Sequence, residues 1–139
     1  MELELIIFVG LQGSGKTTWY REHFAATHVH VSKDLMPNAR NREMRQQQQI
    51  DEALSAGRSV VVDNTNPSIA SRAPLIAIGH RHSARVIAIY FEMHVPTSLT
   101  RNRARVGKER VPDVAIFRTK KQLVPPALDE GFDEVRIIK

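Results

Sequence analysis

Gly10-Leu11-Gln12-Gly13-Ser14-Gly15-Lys16-Thr17 reads as G-x-x-x-x-G-K-[ST], and it lies between the apolar run Ile6 to Val9 and a stretch suited to a helix from about Gly15 through Trp19 towards Phe24. Strand, glycine-rich turn and helix in that order make a phosphate-binding loop, or P-loop. The glycines let backbone N–H groups turn inward around phosphate oxygens, and the helix N-terminus adds the positive end of its dipole. On this reading Lys16 bridges the β- and γ-phosphates of ATP and the Thr17 hydroxyl ligates Mg²⁺ directly. Gly10, Gln12, Gly13, Ser14, Gly15 and Thr18 complete the expected phosphate-binding set.

Outward from the loop, short apolar runs alternate with amphipathic stretches, the pattern of a parallel sheet covered by helices. His28 to Val31 reads as a second strand. A Gln-rich helix follows from Asn38 to Ala56, with Met44, Ile50, Ala53 and Leu54 as its apolar stripe, the four-Gln run as its solvated face and Gly57 closing it. Ser59 to Val62 is a β-branched strand of the fully buried kind, and Pro67 opens a helix to about Gly79. Ala84 to Phe91 is the fourth strand, Pro96 to about Arg105 a helix, Asp113 to about Val124 another, and Glu134 to Ile138 the closing strand. The expectation is one α/β domain over 1–139, an open doubly wound sheet with ligands bound beyond the carboxyl ends of its strands. Asp34 and Asp63 both fall at such ends.

Composition agrees with a globular chain: 42% hydrophobic and 25% charged residues exclude a disordered tail as the default. The absence of cysteine removes disulfides, thiolate nucleophiles and cysteine-held metals. No apolar run reaches bilayer-spanning length and no signal-like leader precedes the first strand, so the expectation is a cytoplasmic protein without a membrane partner. A net charge of +5 favours a polyanionic partner, or reflects a solvated basic face.

Asp63, after Val60-Val61-Val62, is a candidate for holding Mg²⁺ through water, or a cap for the helix near Pro67. Asp34 is a candidate base that accepts the proton of an alcohol and aligns its oxygen for in-line attack, or again a helix cap. Arg101, Arg103, Arg105, Lys108 and Arg110 stand against one acid, Glu109, where a lid over ATP is expected, about 101–111; the other reading is a solvated helix end. His28 and His30 share a strand face and read as structural histidines rather than metal ligands, as do His80 and His82. Trp19 reads as core or the wall beside a ribose rather than a base-stacking platform.

With these residues in view, the chain resembles the P-loop kinase module of the 5′-polynucleotide kinase family from about Ile6 to Ile138. The likeness rests on residues 10 to 19, on Val31-Ser32-Lys33-Asp34, on Asp63-Asn64-Thr65-Asn66-Pro67 with Ser71-Arg72, on Arg101-Asn102-Arg103-Ala104-Arg105 and on Pro126 to Val135. The resemblance implies an adenylate-kinase-like P-loop fold with a mostly parallel five-stranded sheet in the order 2-3-1-4-5, helices on both faces and a basic lid. It implies an ATP- and Mg²⁺-dependent kinase that phosphorylates the 5′-hydroxyl end of DNA or RNA. Asp34 is then the general base, Arg105 the lid arginine on the transferring phosphate, and Arg101 its companion. Asn64 and Thr65 shape the floor beside the acceptor, and Arg72 faces the acceptor's phosphate backbone. The alternative on the same fold is a kinase for a small-molecule hydroxyl, on a nucleoside, sugar or antibiotic.

Overall fold

The computed structural model describes residues 2–36, 40–107 and 110–139. Its strands are β1 (Glu4–Gly10), β2 (Val29–Val31), β3 (Val60–Val62), β4 (Arg85–Phe91) and β5 (Glu134–Ile138). The helices are α1 (Lys16–His23), α2 (Arg42–Ser55), α3 (Ile69–Arg81), α4 (Val95–Arg103) and α5 (Asp113–Gln122), with single 3₁₀ turns at Lys33–Leu35 and Leu128–Glu130. The strands form one sheet in the order β2-β3-β1-β4-β5, and every pairing is parallel. The expected order therefore holds.

β1 lies at the centre, with Leu5 beside Val60 on one flank and beside Val86 on the other. A strand enclosed in this way has no solvated face, which is why its run is apolar without alternation. Leu5, Ile7 and Val9 pack on one side with Val60 and Val62 against Ile50 and Leu54 of α2 and Leu75, Ile76 and Ile78 of α3. Ile6 and Phe8 pack on the other side with Val61, Ile87 and Ile89 against Tyr20, Trp19 and Phe24 from α1 and its end. Trp19 thus belongs to the core margin, edge-on to Phe91 and stacked on His23. Among the described residues no helix is long and apolar enough to cross a membrane.

The start of α2 expected at Asn38 lies outside the described residues, and within them Asn41 caps the helix by accepting from the Met44 N–H. Its buried stripe is Gln46, Ile50, Ala53 and Leu54. Met44 is 58% exposed, because it lies six residues from Ile50 and so well round the helix, whereas Gln46 at i−4 is only 1% exposed. The glutamine run is therefore not wholly a solvated face. α3 begins at Ile69 rather than Pro67, since Ser68 and Ser71 exchange side-chain and backbone hydrogen bonds as a capping box. α4 and α5 end two residues sooner than expected, at Arg103 and Gln122.

Arg72 corrects a further expectation. It does not face an acceptor: it is fully buried, with Nε and Nη2 donating to the two carboxylate oxygens of Glu130 at 2.8 and 2.9 Å. Nη1 donates to the carbonyls of Asn66 at 3.0 Å and Val124 at 2.9 Å. One guanidinium so ties α3 to the turn before it, to the chain after α5 and to the Leu128–Glu130 turn, and a forked donor suits that task where an ammonium would not.

Replacing Arg72 leaves Glu130 as a buried, unpaired carboxylate. Arg72→Met is expected to cost about 3–5 kcal/mol, a fall in melting temperature of roughly 10–15 °C, and adding Glu130→Gln should recover part of it. At the sheet edge Arg136 first, and Arg85 second, hold the Glu134 carboxyl down from the ordinary 4.5 to about 2. A lowered folded-state value stabilises at neutral pH and is lost as pH falls through 4.5 towards 2. The pair is partly exposed, so Glu134→Gln should cost no more than about 1 kcal/mol at pH 7, and melting curves of the two proteins should converge near the acid end of that window.

Candidate functional site

The site gathers at the carboxyl ends of β1, β2 and β3. Gly13 and Gly15 take φ of +79° and +90°, the left-handed region that only glycine enters freely, and so the loop closes tightly ahead of α1. Gly10 is held at the strand end by its N–H, which donates to the Thr65 carbonyl at 3.0 Å. Lys16 turns back into this loop. Its Nζ donates to the carbonyls of Gly10 at 3.0 Å and Leu11 at 2.7 Å and to Ser14 Oγ at 3.2 Å.

Burial lowers the Lys16 ammonium to about 8; Asp63 opposes that shift, Arg105 adds to it, and Asp34 opposes it weakly. Three charged groups from three separate segments therefore act on one lysine. Asp63 is the nearest organiser. Its Oδ2 accepts from Thr17 Oγ1 at 2.7 Å and from His30 Nε2 at 2.8 Å, and the residue is only 4% exposed. The P-loop helix, β2 and β3 are thereby joined through a single oxygen atom.

Asn64 turns the other way. Its Oδ1 accepts from the Lys33 N–H at 3.0 Å and from Ser32 Oγ at 3.5 Å, and its Nδ2 donates to Gln46. Ser32 caps the turn that carries Asp34 by accepting the Asp34 N–H at 3.2 Å. Asp34 is thus capped rather than capping, and its carboxylate stays exposed. Asn64, expected on the acceptor floor, is committed to holding that turn in place. Thr65 is half-buried with its carbonyl spent on Gly10. Asn66 adopts φ +42° and donates from Nδ2 to the Phe8 carbonyl at 2.8 Å, locking the block to β1.

Gln12 is a third site expectation that geometry redirects. Its Nε2 donates to Thr119 Oγ1 of α5 at 3.0 Å, so the side chain braces the loop against that helix. Thr18 is exposed on the first turn of α1.

Of the cations expected in a lid, Arg101 donates from Nη1 to the Gly13 carbonyl at 3.2 Å and so reaches the loop. Arg105 is half-buried and within electrostatic reach of Lys16. Arg103 is paired with Asp113 at 3.0 Å and Arg110 is exposed; Lys108 and Glu109 lie outside the described residues. Asn102, fully buried, donates to the Val111 carbonyl at 2.6 Å and accepts the Val111 N–H at 2.9 Å, closing the base of the segment.

His30 is the participant that sequence reading missed. Alternation puts His28 and His30 on one strand face, but the partner of each lies on another strand: Glu4 at 2.8 Å for His28 and Asp63 for His30. Strand order, which a linear reading does not contain, is the information that pairs them. His80 and His82 meet the Gly131 carbonyl and Asp51, as structural histidines do. Among the described residues no cluster of three His, Cys, Asp or Glu side chains is set to hold a metal.

Comparison with known proteins bears on this site. The AAA domain family model matches residues 5–126. A protein of Acanthamoeba polyphaga mimivirus assigned as a bifunctional polynucleotide phosphatase/kinase is 28% identical over 144 residues, covering 97% of this chain and 33% of that protein. The bifunctional polynucleotide phosphatase/kinase of Schizosaccharomyces pombe is 26% identical over 136 residues, covering 95% and 32%. The chain thus spans about a third of the length of the curated relatives it matches. In fold it is similar to a sugar kinase from Janibacter sp. HTCC2649, with a TM-score of 0.71 over 98% of this chain and 84% of that one at 14% identity. Because the family match runs from within β1 past the end of α5, the chain belongs to the AAA domain family.

Proposed function

We propose that the protein transfers the γ-phosphate of ATP to the 5′-hydroxyl end of DNA or RNA. The observation that carries this reading is the convergence on one P-loop of the buried Lys16, of Asp63 bonded to Thr17 at 2.7 Å, and of an exposed Asp34 carboxylate on a turn that Asn64, the residue after Asp63, holds in place. A nucleotide-binding module has no use for that carboxylate; a kinase acting on an alcohol does. Both polynucleotide phosphatase/kinase relatives cover nearly all of this chain, and a net charge of +5 suits a polyanionic acceptor.

In the proposed reaction, the loop N–H groups and Lys16 hold the β- and γ-phosphates, while Asp34 accepts the proton of the acceptor hydroxyl. That oxygen bonds to the γ-phosphorus as the bond to the β–γ bridging oxygen breaks, and ADP leaves. Arg101 and Arg105 stabilise charge on the transferring group. Thr17 would ligate Mg²⁺ and Asp63 would hold it through water; a hydroxyl and a carboxylate, bonded to each other at 2.7 Å, are the oxygen donors that a hard cation takes. When bound, Mg²⁺ neutralises charge on the phosphates.

The second reading, a small-molecule hydroxyl acceptor, is favoured by the burial of Arg72, which removes one contact expected for a nucleic-acid strand. The fold, shared with the sugar kinase, accommodates either.

With γ-labelled ATP and Mg²⁺, a 5′-hydroxyl oligonucleotide should take up label while its 5′-phosphorylated counterpart does not. Label on neither, with ATP bound, would move the assignment to the small-molecule reading. Asp34→Ala should lower kcat by about 10²–10⁴-fold, and Lys16→Ala should abolish transfer, both with folding intact. Arg105→Ala should lower kcat by roughly 10²–10³-fold with little change in the KM for ATP; an unchanged kcat would remove Arg105 from the reaction.

A further inference from the structure

We propose that His30 is a positioning residue for the magnesium site: its donated hydrogen bond fixes the Asp63 carboxylate so that Oδ1 is the oxygen left to meet a metal-bound water. The inference rests on the reading of Thr17 and Asp63 as the magnesium-holding pair.

Both hydrogen bonds that Asp63 accepts through its side chain fall on Oδ2, from Thr17 at 2.7 Å and His30 at 2.8 Å, and none from the described residues falls on Oδ1. A carboxylate buried to this depth needs donors, and its orientation follows from where they stand. Thr17 belongs to the loop that receives phosphate, whereas His30 belongs to β2 and is independent of it. The ring is itself held, stacked on Tyr20 with centroids 4.1 Å apart and planes 17° apart. Tyr20 is buried, and its hydroxyl donates to the His28 carbonyl at 2.6 Å.

An apolar side chain would fill the space on Tyr20 equally well and suits a strand whose neighbours are Val29 and Val31. What a histidine adds there is the N–H directed at Asp63. Outer partners of this kind set the orientation of metal-holding groups, and their loss typically weakens metal binding about 10–100-fold.

Two variants separate the donor from the packing. His30→Phe keeps a ring on Tyr20 and removes the N–H; His30→Gln keeps an N–H at the Nε2 position and removes the ring. Mn²⁺ binding to each protein with ADP, followed by electron paramagnetic resonance, is the readout, with ADP affinity in EDTA and thermal melting alongside. His30→Phe should bind Mn²⁺ about 10–100-fold more weakly with metal-free ADP affinity unchanged, and His30→Gln should stay near the parent. Parent-like Mn²⁺ affinity in folded His30→Phe would overturn the proposal, as would a loss in folded His30→Gln, which carries the test alone if His30→Phe does not fold. Failure of the unmodified protein to hold Mn²⁺ with ADP would instead remove the metal pair, and this role with it.

Discussion

A strand buried on both faces can carry chemistry only at its end. β1 runs through the middle of the sheet with no solvated side, so the polar groups of its segment are concentrated in the loop beyond Val9. The same holds for β3, which passes from three valines straight to Asp63 and Asn64. Parallel pairing brings the ends of β1, β2 and β3 to one rim. The P-loop, the Asp34 turn and the Asp63-Asn64 pair stand together there because those strands leave no other place for them.

Two adjacent residues divide the work at that rim. Asp63 joins the P-loop helix to β2 through one carboxylate oxygen, while Asn64, one residue on, joins the Asp34 turn to α2 through Gln46. The peptide between them is a fixed spacer between the P-loop side of the site and the side that carries the exposed Asp34 carboxylate. Asn66 and the Gly10 N–H then lock the same segment to β1. Relative placement across the site is thus set by short backbone links rather than by long side chains, the arrangement that holds a reacting geometry most tightly.

Much of this was legible in the chain. The glycine spacing before Lys16 announced the loop because glycine alone enters freely the backbone conformations found at Gly13 and Gly15, and the valine run announced a buried strand ending in an acid. What could not be read was anything decided by a partner distant in sequence. Arg72 looks like a surface cation until Glu130, 58 residues on, is seen against it. Gln46 looks solvated until Asn64 meets it, Gln12 looks like part of the cradle until Thr119 takes its amide, and His30 looks structural until Asp63 stands beside it. Polar residues in cores are explained by their hydrogen-bond partners, and the partner is what a one-dimensional reading lacks. Met44 is a different case, a misplaced phase in a helix whose first turn carries no strong apolar mark.

The double hydrogen bond between Asn102 and Val111 has a consequence for how this architecture can vary. The chain at the end of α4 and the chain ahead of α5 are joined at what is, in effect, a single point. Residues gained or lost between those ends would change how far the arginines extend without moving either helix or the P-loop beneath them. Reach over the site can therefore be retuned by loop length alone, independently of the P-loop.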